Sequence, residues 1–268
     1  MSNLKELFNL IDNEIERLEG SNQAKVLKNN FKDFMIYDGQ GRWQTAKHLD
    51  LITSKLQEVS EDTVKGISHR LIIALPPRHG KSETVSKKFP AWHLGRNPGH
   101  EIILSSYSAD LAYDHSRIAR DTLLTHSELF SVNIAKDSAA VGRWGIEGHR
   151  GGLFAVGVGG PITGRGAHIG IIDDPFKNAE EANSETIREK VWNWYTTTFY
   201  TRLAPGGSII ILMTRWHEDD LVGRLLAKEK EDIEKGLDVI PWEVINLPAI
   251  ADEDDPLGRL PGEALWPE

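Results

Sequence analysis

Gly80-Lys81-Ser82 follows the aliphatic run Leu71–Leu75 and precedes a helical pattern. These residue types in this setting handle phosphate. The glycine lets the backbone approach an anion closely, the lysine brings a mobile positive charge to the terminal phosphates, and the Ser82 hydroxyl is a hard oxygen ligand for Mg2+. Amides at the new helix N-terminus point at the anion, and the helix dipole adds to their pull. The loop reads as a P-loop, with contacts predicted from Pro77, Arg78, His79, Gly80, Lys81, Ser82 and Glu83. It departs from the GxxxxGK[ST] pattern by carrying Leu75 where the first glycine belongs.

A second apolar run, His168-Ile-Gly-Ile-Ile, ends in Asp173-Asp174-Pro175. Two adjacent carboxylates at the tip of a buried strand are costly unless they hold a cation or a proton. Asp173 is predicted to hold Mg2+ with Ser82, and Asp174 to polarise the attacking water, with Glu180 or Glu181 as a fallback base. A third run, Ser208-Ile-Ile-Ile-Leu-Met, ends in Thr214, a hydroxyl placed to sense the γ-phosphate or its water. Trp216 just beyond it is assigned to closing the core, and Glu218, Asp219 and Asp220 to favourable charge in the first turn of a helix.

Arg165, between Gly164 and Gly166, suits a mobile finger that stabilises transition-state charge on a neighbouring subunit's nucleotide. Arg143, Arg150 and Arg78 compete for that role. Trp43 and Gln44, with His48, offer stacking and hydrogen-bonding groups for an adenine, although Trp43 equally suits a core position. The aromatic cluster Trp192, Trp194, Tyr195 and Phe199 reads as core. A basic track for a nucleic-acid backbone has candidates in Lys87, Lys88, Arg96, Arg117 and Arg120, each of which also fits a solvated helix charge.

These groups need strands and helices in a fixed order. Dense runs at 71–75, 101–106, 153–158, 168–173 and 208–214 suit strands buried on both faces. Helical patterns fall at roughly 81–95, 109–126, 181–201 and 218–232. Such alternation implies a parallel α/β sheet with right-handed crossovers. Residues 4–19 form an amphipathic helical pattern, for packing on the domain or for docking a partner. The turn Asp38-Gly39-Gln40-Gly41 divides the aromatic-rich segment that follows.

Lys and Arg total 31 against 40 Asp and Glu, a net charge of −9, which excludes a surface that coats nucleic acid as a whole but leaves room for a local basic groove. Cysteine is absent, so disulfide, zinc-thiolate and thiol-nucleophile chemistry are excluded together. Neither a signal-peptide core nor a membrane-length apolar run is present, and a cytoplasmic location is expected.

In their order and spacing, LPPRHGKSE, ITGRGAHIGIIDDP, EANSETIREKVWNWY and MTRWHEDDL resemble the ATPase domain of the large terminase subunit of tailed bacteriophages, from about Trp43 to Trp266. The resemblance implies a three-layer α/β/α P-loop NTPase of the ASCE type. Its mainly parallel sheet would be preceded by an N-terminal helical, adenine-side region (1–60), formed by a core (61–235), and followed by a linker or lid (236–268). It implies ATP and Mg2+, double-stranded DNA as the moving partner, and a portal protein and small terminase subunit as assembly partners. It also implies a homo-oligomeric ring at work, with the chain a monomer in isolation, in the host cytoplasm during virus assembly. Lys81 and Ser82 would bind phosphate and metal, Asp173 the metal, and Asp174 would stand at the catalytic carboxylate. Thr214 would fall in the motif that couples hydrolysis to movement, and Arg165 at the trans-acting finger. The family continues into a nuclease, and this sequence ends at Glu268 without another acidic cluster of that kind, so DNA cleavage is not expected of it. The alternatives are a helicase-like nucleic-acid ATPase, a slowly hydrolysing nucleotide-binding assembly module and a small-molecule kinase.

Overall fold

The computed structural model describes residues 20–164 and 166–266, so the amphipathic pattern at 4–19 and the finger candidate Arg165 lie outside the described residues. After helical residues 20–29 come α1 (Phe31–Gly39), α2 (Lys47–Val64) and β1 (Arg70–Ala74). The phosphate loop leads into α3 (Phe89–Arg96), followed by β2 (Glu101–Ser106), α4 (Ala109–Thr125) and the short α5 (Ser127–Phe130). β3 (Ile134–Ala140), β4 (Arg143–Ile146), β5 (Gly152–Gly157) and β6 (Ala167–Asp173) come next. The chain continues through α6 (Ala179–Asn183), α7 (Glu185–Trp194), β7 (Leu203–Met213), α8 (Leu221–Glu234) and β8 (Trp242–Asn246).

Every apolar run read from the sequence is a strand, and all join one eight-stranded sheet of order β3-β4-β5-β2-β6-β7-β1-β8. From β5 across to β8 the pairing is parallel, while β3 and β4 add an antiparallel edge. Side chains alternate between faces with the strand period of two. Ile210 and Leu212 of β7 enter one core with Leu71, Ile73, Ile102 and Leu104, under α1, α2, α3 and α4. Ile209, Ile211 and Met213 enter the other with Ile72 and Ile103, under α7 and α8. The result is the expected three-layer α/β/α architecture. The strand after the Asp173 strand, β7, is inserted between it and the phosphate-loop strand β1, which is the ASCE arrangement. The N-terminal helices are part of this body, since Phe31, Phe34, Ile52 and Leu56 share the core of β1 and β2.

The structure departs from the sequence reading in four elements. β8 falls inside the stretch 236–268 that was read as linker; only Ile245 of it is buried, so it lacks a dense apolar run. β3 is mostly exposed and equally hidden. The helix expected over 81–95 opens into a π-turn at Glu83–Lys88, where the Phe89 amide reaches back to the Thr84 carbonyl. Pro90 has no amide to give and its ring crowds the carbonyl four residues back, which widens the turn before it. The helix expected over 181–201 is broken by extended Ser184 into α6 and α7 and ends in a second π-turn, Tyr195–Phe199.

Among the described residues no helix is long and apolar enough to cross a membrane. Phe199 closes one core directly over β6, where a Cβ at Gly170 would lie 2.6 Å from its Cζ. Gly170→Ala should therefore destabilise the fold by about 1–3 kcal/mol through overpacking. Urea unfolding checks this, and an unchanged midpoint would mean that Phe199 gives way freely.

Candidate active site

Ligands of open α/β sheets bind beyond the carboxyl ends of the strands. Here those ends carry the residues singled out above. β6 pairs with β2 and β7 so that Asp173 stands opposite Ser106 and Leu212. Asp174 follows in a left-handed conformation (φ 46°) that is uncommon outside glycine but tolerated by Asp. Its amide donates to the Leu212 carbonyl and its carbonyl accepts from the Tyr107 amide, so both neighbouring strands hold the turn.

The turn aims the Asp174 carboxylate at the lysine. Lys81 Nζ donates to Asp174 Oδ1 at 3.0 Å and to Thr214 Oγ1 at 2.9 Å, and the Thr214 amide donates to the same Oδ1 at 2.9 Å. The Thr214 hydroxyl also contacts the Leu75 carbonyl at 3.3 Å. Lys81 is only 6% exposed, so these partners take the place of its water. Burial pushes the Asp174 carboxyl above the ordinary carboxylate range, outweighing the pull of Lys81.

Asp173 is 1% exposed and surrounded by donors. Ser82 Oγ donates to Oδ1 at 3.2 Å, Ser86 Oγ to Oδ2 at 2.7 Å, and Ser106 Oγ to the main-chain carbonyl at 2.8 Å. His115 Nε2 lies 3.2 Å from Oδ2. Above them the loop bends at Arg78 (φ 65°) and Gly80 (φ 78°), both left-handed. A Cβ on Gly80 would also press to 3.0 Å on Leu49, so backbone angle and close approach both favour glycine there. His48 holds the loop from beneath, its Nε2 donating to the His79 carbonyl at 3.2 Å, and the His79 ring hydrogen-bonds the Pro77 carbonyl at 2.9 Å.

The cavity above has a volume of about 380 Å³ and is lined by Pro77, Arg78, Gly80, Lys81, Ser82 and Glu83, with Asp174 and Thr214 across from them. Tyr107, Phe176, Lys177 and Trp216 complete it. The donor chemistry fits Mg2+ and phosphate. Ser82 and Asp173 present hard oxygens side by side, and Lys81, Arg78 and the glycine-bent loop supply positive charge and close backbone approach.

Of the predicted residues, the structure brings Lys81, Ser82, Asp173, Asp174 and Thr214 together. Trp43 is half-buried against the main core and Gln44 is exposed, and neither lines the cavity. Trp216 does not close the core; it is 45% exposed and lines the cavity. Glu181 caps the Lys177 amide and Glu180 is not at the cavity, so neither carboxylate stands beside Lys81. Asp219 bridges Arg188 and Arg224, and Asp220 caps α8 and pairs with Arg215; both act in packing. Arg143 and Arg150 line a different cavity, with Glu101 and Gly166, toward the other end of the strands.

The basic-track candidates are all engaged. Lys87 pairs with Glu83 and Lys88 with Asp38, Arg96 stacks on Trp92, Arg117 pairs with Asp114 and Arg120 with Asp121. The sequence reading missed Ser86, His115 and Tyr107. Ser86 was within reach, lying one turn after Ser82 on the same helical face, whereas His115 and Tyr107 are brought in by tertiary structure alone.

Residues 72–268 match the family model of the large terminase subunit, T4-like virus type, N-terminal part. The chain belongs to this family. Among solved structures it is similar to the large terminase of bacteriophage HK97, with 14% identity and a TM-score of 0.45 over 73% of this chain. The chain covers 39% of that protein's length. No curated protein sequence matches it.

In this terminase chain Thr214 accepts a hydrogen bond from the shielded Lys81 ammonium. Thr214→Val keeps the shape and removes the hydroxyl, and it should cost about 1.5–3 kcal/mol of stability in the absence of nucleotide. Chemical denaturation of the two proteins side by side checks this; equal stability would mean that Asp174 alone satisfies Lys81.

Proposed function

We propose that the chain is the ATPase part of a viral DNA-packaging motor, coupling hydrolysis of Mg-ATP to movement of double-stranded DNA into a procapsid. One observation carries the reading: Lys81 touches both Asp174 and Thr214 while Ser82 touches Asp173, so the phosphate loop and the tips of β6 and β7 meet at one cavity. Family membership supplies the biological setting. DNA, the portal protein and the small terminase subunit are the partners it implies, in a ring working in the host cytoplasm during assembly.

Lys81 is held by Asp174 and Thr214. As the triphosphate enters, the ammonium exchanges these partners for phosphate oxygens. Asp174 is then free to orient and deprotonate water, and Thr214, released from Lys81, reports the state of the phosphate to β7. Ser82 and Asp173 would hold Mg2+, which when bound neutralises charge on the phosphate oxygens. Asp174, with its carboxyl already raised by burial, is better matched to accept a proton near neutral pH than an ordinary aspartate.

The arginine finger acts in trans. Gly166 stands just before β6 and Asp173 at its far end, and seven strand residues at about 3.3 Å each separate them by roughly 20 Å. Among the candidates, Arg78 lines the phosphate cavity of its own chain, whereas Arg143 and Arg150 line a cavity toward the opposite end and would serve a neighbouring subunit's nucleotide, the role the sequence reading gives to Arg165.

Steady-state ATP hydrolysis across a wide range of protein concentration tests this, with Lys81→Ala as the control that loses binding. Specific activity should rise with concentration, and Arg165→Ala should remove that rise. Activity strictly proportional to protein would refute the trans arrangement. Asp174→Asn should bind ATP normally but lose about 10²–10⁴-fold in turnover; unchanged turnover would overturn Asp174 as the base.

The pH profile gives an independent check. Turnover requires ionised Asp174, whose carboxyl is raised above the reference value of 3.8 by burial, so activity should be lost on acidification at a pH above that value. A limb at the ordinary carboxylate value would place the base elsewhere.

A further inference from the structure

His115 lies beside the site but has no part in the reading above. It is buried on α4, and its Nε2 is 3.2 Å from Oδ2 of Asp173. At this distance the ring nitrogen and the carboxylate oxygen meet as a His–Asp pair. The other ring nitrogen, Nδ1, is buried with no hydrogen-bond partner among the described residues. Unmet polar atoms in dry surroundings are costly, and an apolar side chain would fill the space without that cost. What the imidazole contributes at this position is its close polar contact with Asp173.

The donors around Asp173 are unequally shared. Oδ2 receives Ser86 Oγ at 2.7 Å and faces His115 Nε2. Among the described residues Oδ1 has only Ser82 Oγ, at 3.2 Å. Two groups that do not line the phosphate cavity therefore fix one oxygen of the carboxylate. The other oxygen is turned to the hydroxyl next to Lys81. The same strand sets the frame on both sides: Ser106 at the end of β2 holds the Asp173 carbonyl, and Ser108 two residues later caps α4, which carries His115.

We propose that His115 is a positioning residue for the metal seat: with Ser86 it ties down Oδ2 of Asp173 so that Oδ1 and Ser82 Oγ together face the divalent cation. This rests on reading the site as one for a metal–nucleotide complex. Groups that orient a ligating side chain typically account for about 10–100-fold in metal affinity.

The test uses the full 268-residue chain with ADP, and Mn2+ as a directly observed cation. Free Mn2+ is followed by electron paramagnetic resonance, and ADP affinity is measured separately in EDTA. His115→Phe, which fills the space and removes the donor, should weaken Mn2+ binding to the ADP complex by about 10–100-fold. ADP affinity in EDTA should not change, because Lys81 and the loop are intact. His115→Gln, whose amide reaches the place of Nε2, should recover most of the Mn2+ affinity, and the shorter His115→Asn should not.

Wild-type Mn2+ affinity in the Phe variant overturns the proposal. So does an equal loss of ADP affinity in EDTA, which would make His115 a general structural residue. If the Phe variant does not fold, the Gln and Asn pair decides: tight Gln with weak Asn supports the role, and equal affinities refute it. A wild-type chain that binds neither ADP nor Mn2+ defeats the functional reading itself, and this proposal with it. Loss confined to the His115 variants has no bearing on that reading.

Discussion

A lysine ammonium shielded from water must be met by an anion or by hydroxyl groups, and the meeting of Lys81 with Asp174 and Thr214 is the constraint on which the site depends. It fixes the order of three strands. β7 has to lie between β6 and β1 for Thr214 to stand between the phosphate loop and the Asp174 turn, and the sheet has that order. It also explains why Asp174 takes a left-handed backbone. In an extended continuation of β6 the side chain following Asp173 would point to the opposite face, away from the loop. The turn brings both carboxylates to the same side, one for the hydroxyls of Ser82 and Ser86 and one for the lysine. Such strain is characteristic of a site over-determined by its surroundings, and here the Leu212 carbonyl and the Tyr107 amide grip the turned residue.

The same interaction shapes what substrate binding must do. On the proposed reading, the positive charge that would meet phosphate is tied to the group that would meet water, so binding would be an exchange of partners. An ion pair in a half-dry cleft resists separation, because either charge left alone is costly. A triphosphate can separate the pair because it brings several negative oxygens to the lysine, while the space it opens lets water reach the carboxylate. On the proposed reading the contact would give the domain two states from one lysine, with Thr214 carrying the difference into β7, which lies inside the sheet.

Much of this was legible in the sequence because the site is built from strand tips. A strand buried on both faces announces itself as a dense apolar run, and its last residue is then a defined point in space. Gly80-Lys81-Ser82, Asp173-Asp174 and Thr214 were all found that way. Elements lacking the signal were missed. β8 is an edge strand with Ile245 alone buried, and β3 is largely exposed, so neither shows the pattern. The π-turn after Ser82 depends on Pro90, whose effect falls on residues before it. His115 is a helix residue whose significance is its distance to a side chain 58 positions away in the numbering, a relation periodicity does not encode. Trp216 looked like a core residue because aromatics at strand ends usually are; it borders the cavity instead.

The sheet also separates two kinds of chemistry by its length. At the carboxyl ends of the strands are the carboxylates, the lysine and the hydroxyls. Toward the opposite end, Arg143 and Arg150 line a cavity of about 200 Å³ with Glu101 and Gly166, the residue that follows Arg165 in the sequence. Strands in a buried parallel sheet are stiff, and no side chain spans their length, so these two ends cannot complete one another within a single chain. They can do so between neighbouring chains, if the arginine-bearing end of one faces the phosphate-bearing end of the next. A head-to-tail contact of this sort is heterologous and closes into a ring when its rotation permits. On the proposed reading, an assembly of that kind would gain an order of firing without a separate regulator, because each site would be complete only while its neighbour presented an arginine.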